Sequence, residues 1–214
     1  ELTPLETAAV FFTEQVAPLD VSAGTVVSEN AIWDTPRTLT ENLTVNDGVT
    51  LTIGAQVTVS GNVTISGGGT IKRASAYTGS LLVVTDDSSL ILANITIDGG
   101  AIWTGDEDET LKRGTVNDGL TADSALVTVN GGTLTLNEGA LIQNNERTVG
   151  TDVDAWIEWT RPVAQTVRYY AVGGGVSVVG GSLIVNNGAA VKNNTIKDSD
   201  KANDATSDAL GGGI

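Results

Sequence analysis

The sequence predicts an all-β chain: a right-handed parallel β-helix solenoid with an N-terminal capping helix and long loops inserted at one corner. Three observations point there. From Thr38 onward apolar residues alternate with polar ones, at Leu43, Val45, Val49, Leu51, Ile53, Val57, Val59, Val63, Ile65 and Ile71, and period two marks strands with one buried face. The runs are short and divided by Asn46-Asp47-Gly48, Ile53-Gly54-Ala55, Ser60-Gly61-Asn62 and Ser66-Gly67-Gly68-Gly69, each of which reads as a corner. The pattern then repeats, with DSSLIL at 87–92, GGTLTL at 131–136 and GGSLIV at 180–185, at offsets of 44 and 49 residues.

Composition agrees with this class. Hydrophobic residues make up 40% of the 214 positions and aromatics only 4%, so the core has to be built from Val, Leu, Ile, Ala and Thr, which suit strands. Gly numbers 26 and Pro 4, as expected of a chain that turns often between extended runs. This length can bury one sizeable core, so residues 33–214 are read as one solenoid domain and residues 1–32 as a cap segment.

In chain order, the first element is a helix over residues 3–16. Thr3 is a capping residue, Pro4 stands at the first helical position and Glu6 lies three after the cap. Leu5, Ala8, Ala9 and Phe12 recur at helical spacing and Pro18 ends the run. A solenoid needs a cover for its first coil, and this helix is the natural one.

The solenoid follows. The offsets that align the three Leu-rich runs also bring LVTV at 126–129 near LLVVT at 81–85 and VSVV at 176–179, and ALIQNN at 140–145 near AAVKNN at 189–194. Each unit therefore holds three short strands, one triangular coil, and the remaining residues of each period are insertions. Leu90, Leu92, Leu134, Leu136, Leu183 and Val185 are expected to point inward in rows, because coils stacked at the strand spacing of ~4.8 Å bury one another's apolar residues. Asn144/Asn145 and Asn193/Asn194 fall at one corner, where amides of successive coils can form a ladder, with Asp98-Gly99-Gly100 at that place in the earlier coil. Four Asn-X-Thr triplets, beginning at Asn42, Asn62, Asn94 and Asn193, match the glycosylation pattern, but strand ends rich in Asn and Thr generate such triplets by chance.

Charge and missing residue types narrow the chemistry. With 26 acidic and 11 basic residues the net charge is −15, which argues against nucleic acid and an anionic membrane surface as partners. No run approaches the ~18 apolar residues of a membrane span, so no membrane insertion of this segment is expected. The absence of Cys and His removes disulfides, thiol nucleophiles and thiolate or imidazole metal sites. The chain opens on Glu1, as after removal of a secretion signal or in an excised segment, and ends just after a Gly triplet that begins another repeat, so a longer parent protein is expected.

The stretch from Trp33 to Arg73, with Asn42-Leu43-Thr44-Val45, Gly48-Val49-Thr50-Leu51-Thr52-Ile53 and Gly67-Gly68-Gly69-Thr70-Ile71, resembles the opening coils of pectate-lyase-like β-helices in large bacterial cell-surface proteins. GGGV at 173–176 and GGGI at 211–214 resemble repeat units of those proteins and of polymorphic outer-membrane adhesins. The resemblance covers residues 33–214. It implies an extracellular location, secreted or at the cell surface, and a role in adhesion or carbohydrate contact, with a glycan or a host or neighbouring surface protein as partner. It carries over no catalytic residue.

Function is expected in the insertions, since loops from successive coils leave the stack side by side. The first, 101–123, holds Trp103 and the run Asp106-Glu107-Asp108-Glu109. The second, 146–172, holds Asp152, Asp154, Trp156, Trp159, Arg161, Tyr169 and Tyr170, and the third, 195–210, holds Asp198, Asp200, Asp204 and Asp208. Loops of this length without structure of their own are uncommon in compact domains. Trp156, Trp159, Tyr169, Tyr170 and Trp103 with Asp152 and Asp154 form the candidate ligand-binding set, because flat rings beside carboxylates offer sugars faces to stack on and acceptors for hydroxyls. Burial of those rings against the solenoid wall is the competing structural reading. The density of carboxylates suggests calcium as the one cofactor, held by irregular oxygen ligands.

A polysaccharide hydrolase or lyase is the alternative from another class. Hydrolysis needs two carboxylates across a cleft, for which Asp86-Asp87 and Asp152/Asp154 are the pairs, yet adjacent carboxylates point to opposite sides of a strand. Of the Asn-Thr-Asp, Asp-Asp and Gly-His-Gly elements of pectin hydrolases only one Asp-Asp is present. A lyase needs a basic proton acceptor beside calcium, for which Arg73, Arg113, Arg147 and Arg161 qualify by type alone. The second alternative is a purely structural spacer.

Overall fold

The computed structural model describes residues 24–104, 115–117, 121–122, 124–149, 156–160, 164–172, 174–198 and 207–210. The helix expected at 3–16 lies outside them. The described residues contain strands and no helix, and the chain winds coil by coil. The first coil is β1 (Thr25–Val27), β2 (Ala31–Trp33) and β3 (Arg37–Leu39), and the second is β4 (Leu43–Val45), β5 (Thr50–Ile53) and β6 (Val57–Val59). The third is β7 (Asn62–Ser66), β8 (Thr70–Arg73) and β9 (Leu82–Val84). The fourth runs β10 (Ser89–Leu92), β11 (Ile95–Asp98), then β12 (Ile102–Thr104), β13 (Thr115–Asn117) and β14 (Thr121–Ala122), before β15 (Val127–Asn130). The fifth runs β16 (Thr133–Leu136), β17 (Ala140–Gln143), then β18 (Glu146–Val149), β19 (Trp156–Thr160) and β20 (Ala164–Val172), before β21 (Val176–Val179). Last come β22 (Ser182–Val185), β23 (Ala190–Lys192), β24 (Thr195–Asp198) and β25 (Ser207–Leu210).

Three parallel sheets result: six strands in the order β1-β4-β7-β10-β16-β22, six in the order β2-β5-β8-β11-β17-β23 and five in the order β3-β6-β9-β15-β21. This is the β-helix the repeats predict. The register matches the sequence offsets, with Leu90 paired to Leu134 and Leu134 to Leu183, and Leu92 to Leu136 and Leu136 to Val185. Among the described residues the ladder begins at Thr25, which pairs with Leu43.

The core is the column of inward side chains. Leu51, Ile53, Leu90, Leu92, Leu134, Leu136, Ile97 and Ile142 are fully enclosed, and half-buried and buried positions alternate along the inner strands, as in β10 and β16. Leu183 is only partly buried and Val185 is 47% exposed. Their places in the rows are as expected. Their burial is not, because β22 is the last described strand of its sheet and a rung is covered only when another stacks on it.

The corners repeat too. Between the first and second sheets, Asn46-Asp47-Gly48, Asn137-Glu138-Gly139 and Asn186-Asn187-Gly188 make the same turn, in which Val49, Ala140 and Ala189 N–H donate to the Asn46, Asn137 and Asn186 carbonyls at 3.0, 3.0 and 3.2 Å. The third residue has φ of 72, 73 and 82°, the left-handed conformation that selects glycine there. Asn186 Nδ2 donates to Asn137 Oδ1 at 2.7 Å, an amide ladder across two coils.

Candidate functional site

Insertions gather at one corner, between the second and third sheets. There the chain needs residues 34–36 in the first coil and 54–56 in the second, but 74–81, 99–126 and 144–175 in the next three, and the last coil leaves the second sheet at Lys192 into β24. The insertions are not structureless loops. Thr121 pairs in parallel with Glu146, and Glu146 with Thr195, so β14, β18 and β24 form a side sheet of three strands that continues the coil-to-coil stacking beyond the triangle. Local patterning did not disclose these strands, because TA, ERTV and TIKD carry none of the apolar alternation that marks the core strands.

Arg73 builds the floor of this corner. It is 3% exposed, and its Nη1 donates to the carbonyls of Tyr77, at 3.3 Å, and of Gly79. Its guanidinium also lies 5.8 Å from the Tyr77 ring centroid. The Tyr77 hydroxyl donates to Ser80 O at 2.8 Å, and the Ser80 and Thr128 hydroxyls are 2.7 Å apart. Burial raises the Tyr77 phenol above its ordinary value, and the nearby Arg73 charge opposes part of that rise. Arg73 thus holds backbone and is not presented as a proton acceptor, the role a lyase would ask of it.

The paired asparagines divide two tasks, where a simple amide ladder was expected. Asn144 and Asn193 take left-handed backbone, φ 58 and 55°, and turn the chain out of the second sheet. Asn144 Nδ2 donates to Asp98 Oδ2 at 2.9 Å, and the Asp98 carboxylate also accepts from Gln143 Nε2 at 3.0 Å and Gly100 N at 2.7 Å. The earlier coil therefore answers an amide with a carboxylate. Asn145 is buried and bonds toward the insertions: Nδ2 donates to Ser124 O at 3.1 Å and Gly174 O at 2.5 Å. Doubling of Asn before the second and third insertions was the available signal, and the difference between the two residues was not legible in it.

The aromatic candidates lie on strands within the insertions. Trp103 is in β12, paired with Val116 in the antiparallel β12–β13 hairpin. Trp156 and Trp159 are in β19, opposite Arg168 and Gln165 of antiparallel β20. Tyr169 and Tyr170 are in β20, in register with Ser207 and Asp208 of parallel β25. Backbone pairing so brings four of the seven candidates into one three-stranded sheet, with Trp103 on a separate hairpin. Asp152 and Asp154 lie outside the described residues, as do residues 106–109, Asp200 and Asp204. Among the described residues no group of three or more acidic side chains is placed to hold a metal ion.

The other carboxylate pair, Asp86-Asp87, is exposed at the corner before β10, with Asp87 in left-handed backbone at φ 58°. It is a turn, not two acids facing across a cleft. Among the described residues no helix is long and apolar enough to cross a membrane. Comparison with family models, curated proteins and solved structures returns no match to this chain.

Proposed function

We propose that the chain is an extracellular surface module whose β-helix presents the insertions for adhesion or glycan binding, with β19 and β20 as the contact region. The observation that carries this reading is the convergence of every long insertion on one corner, where a sheet pairs strands from the second and third. A rigid stack with its variable segments on one side is the arrangement of a binding scaffold. The ligand class follows from the residue types: indole and phenol rings for the apolar faces of sugars, carboxylates and Arg168 for their hydroxyls. On this reading the coil is right-handed, as parallel crossovers overwhelmingly are, and residues 3–16 close the first coil as a helix. Calcium, if bound, orders the acidic segments of the insertions through several carboxylate and carbonyl oxygens.

A glycan array on the intact chain, run beside reducing-sugar and unsaturated-product assays, tests the proposal. Binding without turnover supports it. Turnover assigns the module to the polysaccharide-degrading enzymes instead, and silence in all three assays assigns it to structural spacers. A rise in melting temperature with millimolar calcium is the expected sign of an ion bound to the native state, and no shift removes the ion from the proposal.

A further inference from the structure

We infer that Asn145 is a positioning residue that fastens the bases of the three insertions into one cooperative unit. It stands where the chain leaves β17 for β18, and it is 1% exposed. Its two Nδ2 hydrogens go to Ser124 O and Gly174 O, the segments by which the first and second insertions return to β15 and β21. Oδ1 accepts from Arg73 Nη2 at 3.2 Å, in the coil that holds the 74–81 corner. The backbone N–H donates to Asn194 Oδ1 at 3.1 Å, and the carbonyl accepts from Thr195 N at 2.8 Å, at the start of the third insertion. Asn194 Nδ2 in turn donates to Ile142 O at 3.1 Å.

Chemistry fixes both the residue and its orientation. Two carbonyls require two donors and the guanidinium requires an acceptor, which among short side chains only a primary amide supplies from one position. A flipped amide would turn its oxygen toward two carbonyl oxygens and its NH₂ toward a cation. Asp loses both donors and Ala leaves two buried carbonyls and a guanidinium short of a partner. Since the partners come from the third through the sixth coils, release of this one amide loosens elements far apart in sequence. A ligand that orders one insertion then orders the others, because they share the same local unfolding equilibrium. This last consequence rests on the proposed binding role; the mechanical coupling does not.

Hydrogen exchange on the intact chain, with no ligand present, tests the coupling. In Asn145→Asp, the amides of Glu146–Val149 and Thr195–Asp198 are expected to exchange about tenfold faster or more, together, while those of Leu90 and Leu134 keep wild-type rates. Faster exchange confined to 146–149, or none, overturns the inference. If Asn145→Asp prevents folding, Asn194→Ala decides, since it removes the acceptor of the Asn145 N–H and the donor to Ile142 O while leaving the Asn145 side chain in place. Joint loosening of 146–149 and 195–198 supports the coupling, and wild-type protection in both overturns it. The variant that folds is then placed on the same glycan array. Lost binding with an unchanged stack extends the coupling to the ligand. Coupled exchange in a chain whose wild type binds no glycan sinks the binding role and leaves the fastening intact.

Discussion

Leu134 sits in register beside Leu90 of the preceding coil, and neither side chain exposes any surface. Leu183 follows on the other side of Leu134, so this side chain is enclosed above and below by its own repeat. Leu134→Asp would bury a carboxylate with no partner in that column, at a cost of about 3–5 kcal/mol, enough to remove most of a typical domain's stability. Loss of soluble protein is expected, and a variant that expresses and melts like wild type would refute the inward register.

Position in the stack matters as much as position in the repeat. Val185 shares its row with Leu136, which is fully buried, yet Val185 is 47% exposed. Val185→Asp is therefore expected to cost under about 1 kcal/mol, the range of ordinary surface substitutions, against several for Leu136→Asp. Denaturant midpoints of the two variants make the comparison. Similar losses would mean that Val185 is covered in solution.

Most of the solenoid was legible in the sequence because its restraints are local and repeated. A one-residue slip turns every inward Leu outward, so the 44- and 49-residue spacing of the Leu-rich runs is also the spacing of the ladders. What escaped was non-local. The side sheet is made by pairing between insertions, and Asn145 is singled out from Asn144 only by what surrounds it in three dimensions. Arg73 looked like any other basic residue until its burial and carbonyl partners were known. The aromatic strands are intermediate: Trp156, Trp159, Tyr169 and Tyr170 could be grouped by sequence, but their pairing partners could not.

Two glycines at one corner obey different constraints. Gly180 has φ +73° and open space around the position of a Cβ, whereas a Cβ on Gly132 would lie 2.6 Å from Ser88 O and press on Thr85 O. Gly180→Ala carries only the left-handed backbone penalty of about 1–2 kcal/mol. Gly132→Ala forces two coils apart and is expected to lower the melting temperature further, the cost of overpacking a close backbone approach being about 1–3 kcal/mol or more. An equal or smaller drop for Gly132→Ala would contradict the close coil contact at this corner.

Tyr77 gives the corner a pH dependence. Desolvation raises its phenol above the ordinary 10.0, with Arg73 acting the other way. The folded state therefore holds the proton more tightly than the unfolded chain, so this contribution is complete below pH 10 and is lost as pH rises through the folded-state value. Stability should fall on that alkaline limb, and Tyr77→Phe, which cannot ionise, should fall less steeply while losing the hydrogen bond to Ser80 O at neutral pH. Urea unfolding at neutral pH and again above pH 10 measures both. Identical alkaline slopes in the two proteins would show that other groups set the limb.

The aromatic strands make the sharpest test of the proposed binding role. Trp156 and Trp159 stand three positions apart in β19, and Tyr169 and Tyr170 one apart in β20. A strand alternates its faces with period two, so positions an odd number apart belong to opposite faces. In the antiparallel register Trp156 pairs with Arg168, which puts Tyr170 in its parity class, and Trp159 pairs with Gln165, which puts Tyr169 in its own. On the proposed binding role, a glycan chain lying along one face meets one of these parity classes and not the other. Trp156→Ala and Trp159→Ala should accordingly differ: one weakens glycan binding at least tenfold with little change in melting temperature, the loss of a ring that anchors a contact. The other leaves glycan binding near the wild-type level, since it belongs to the face the ligand does not meet. Matching losses of affinity in both variants would require a ligand that wraps both faces, and unchanged affinity in both would move the contact region away from β19.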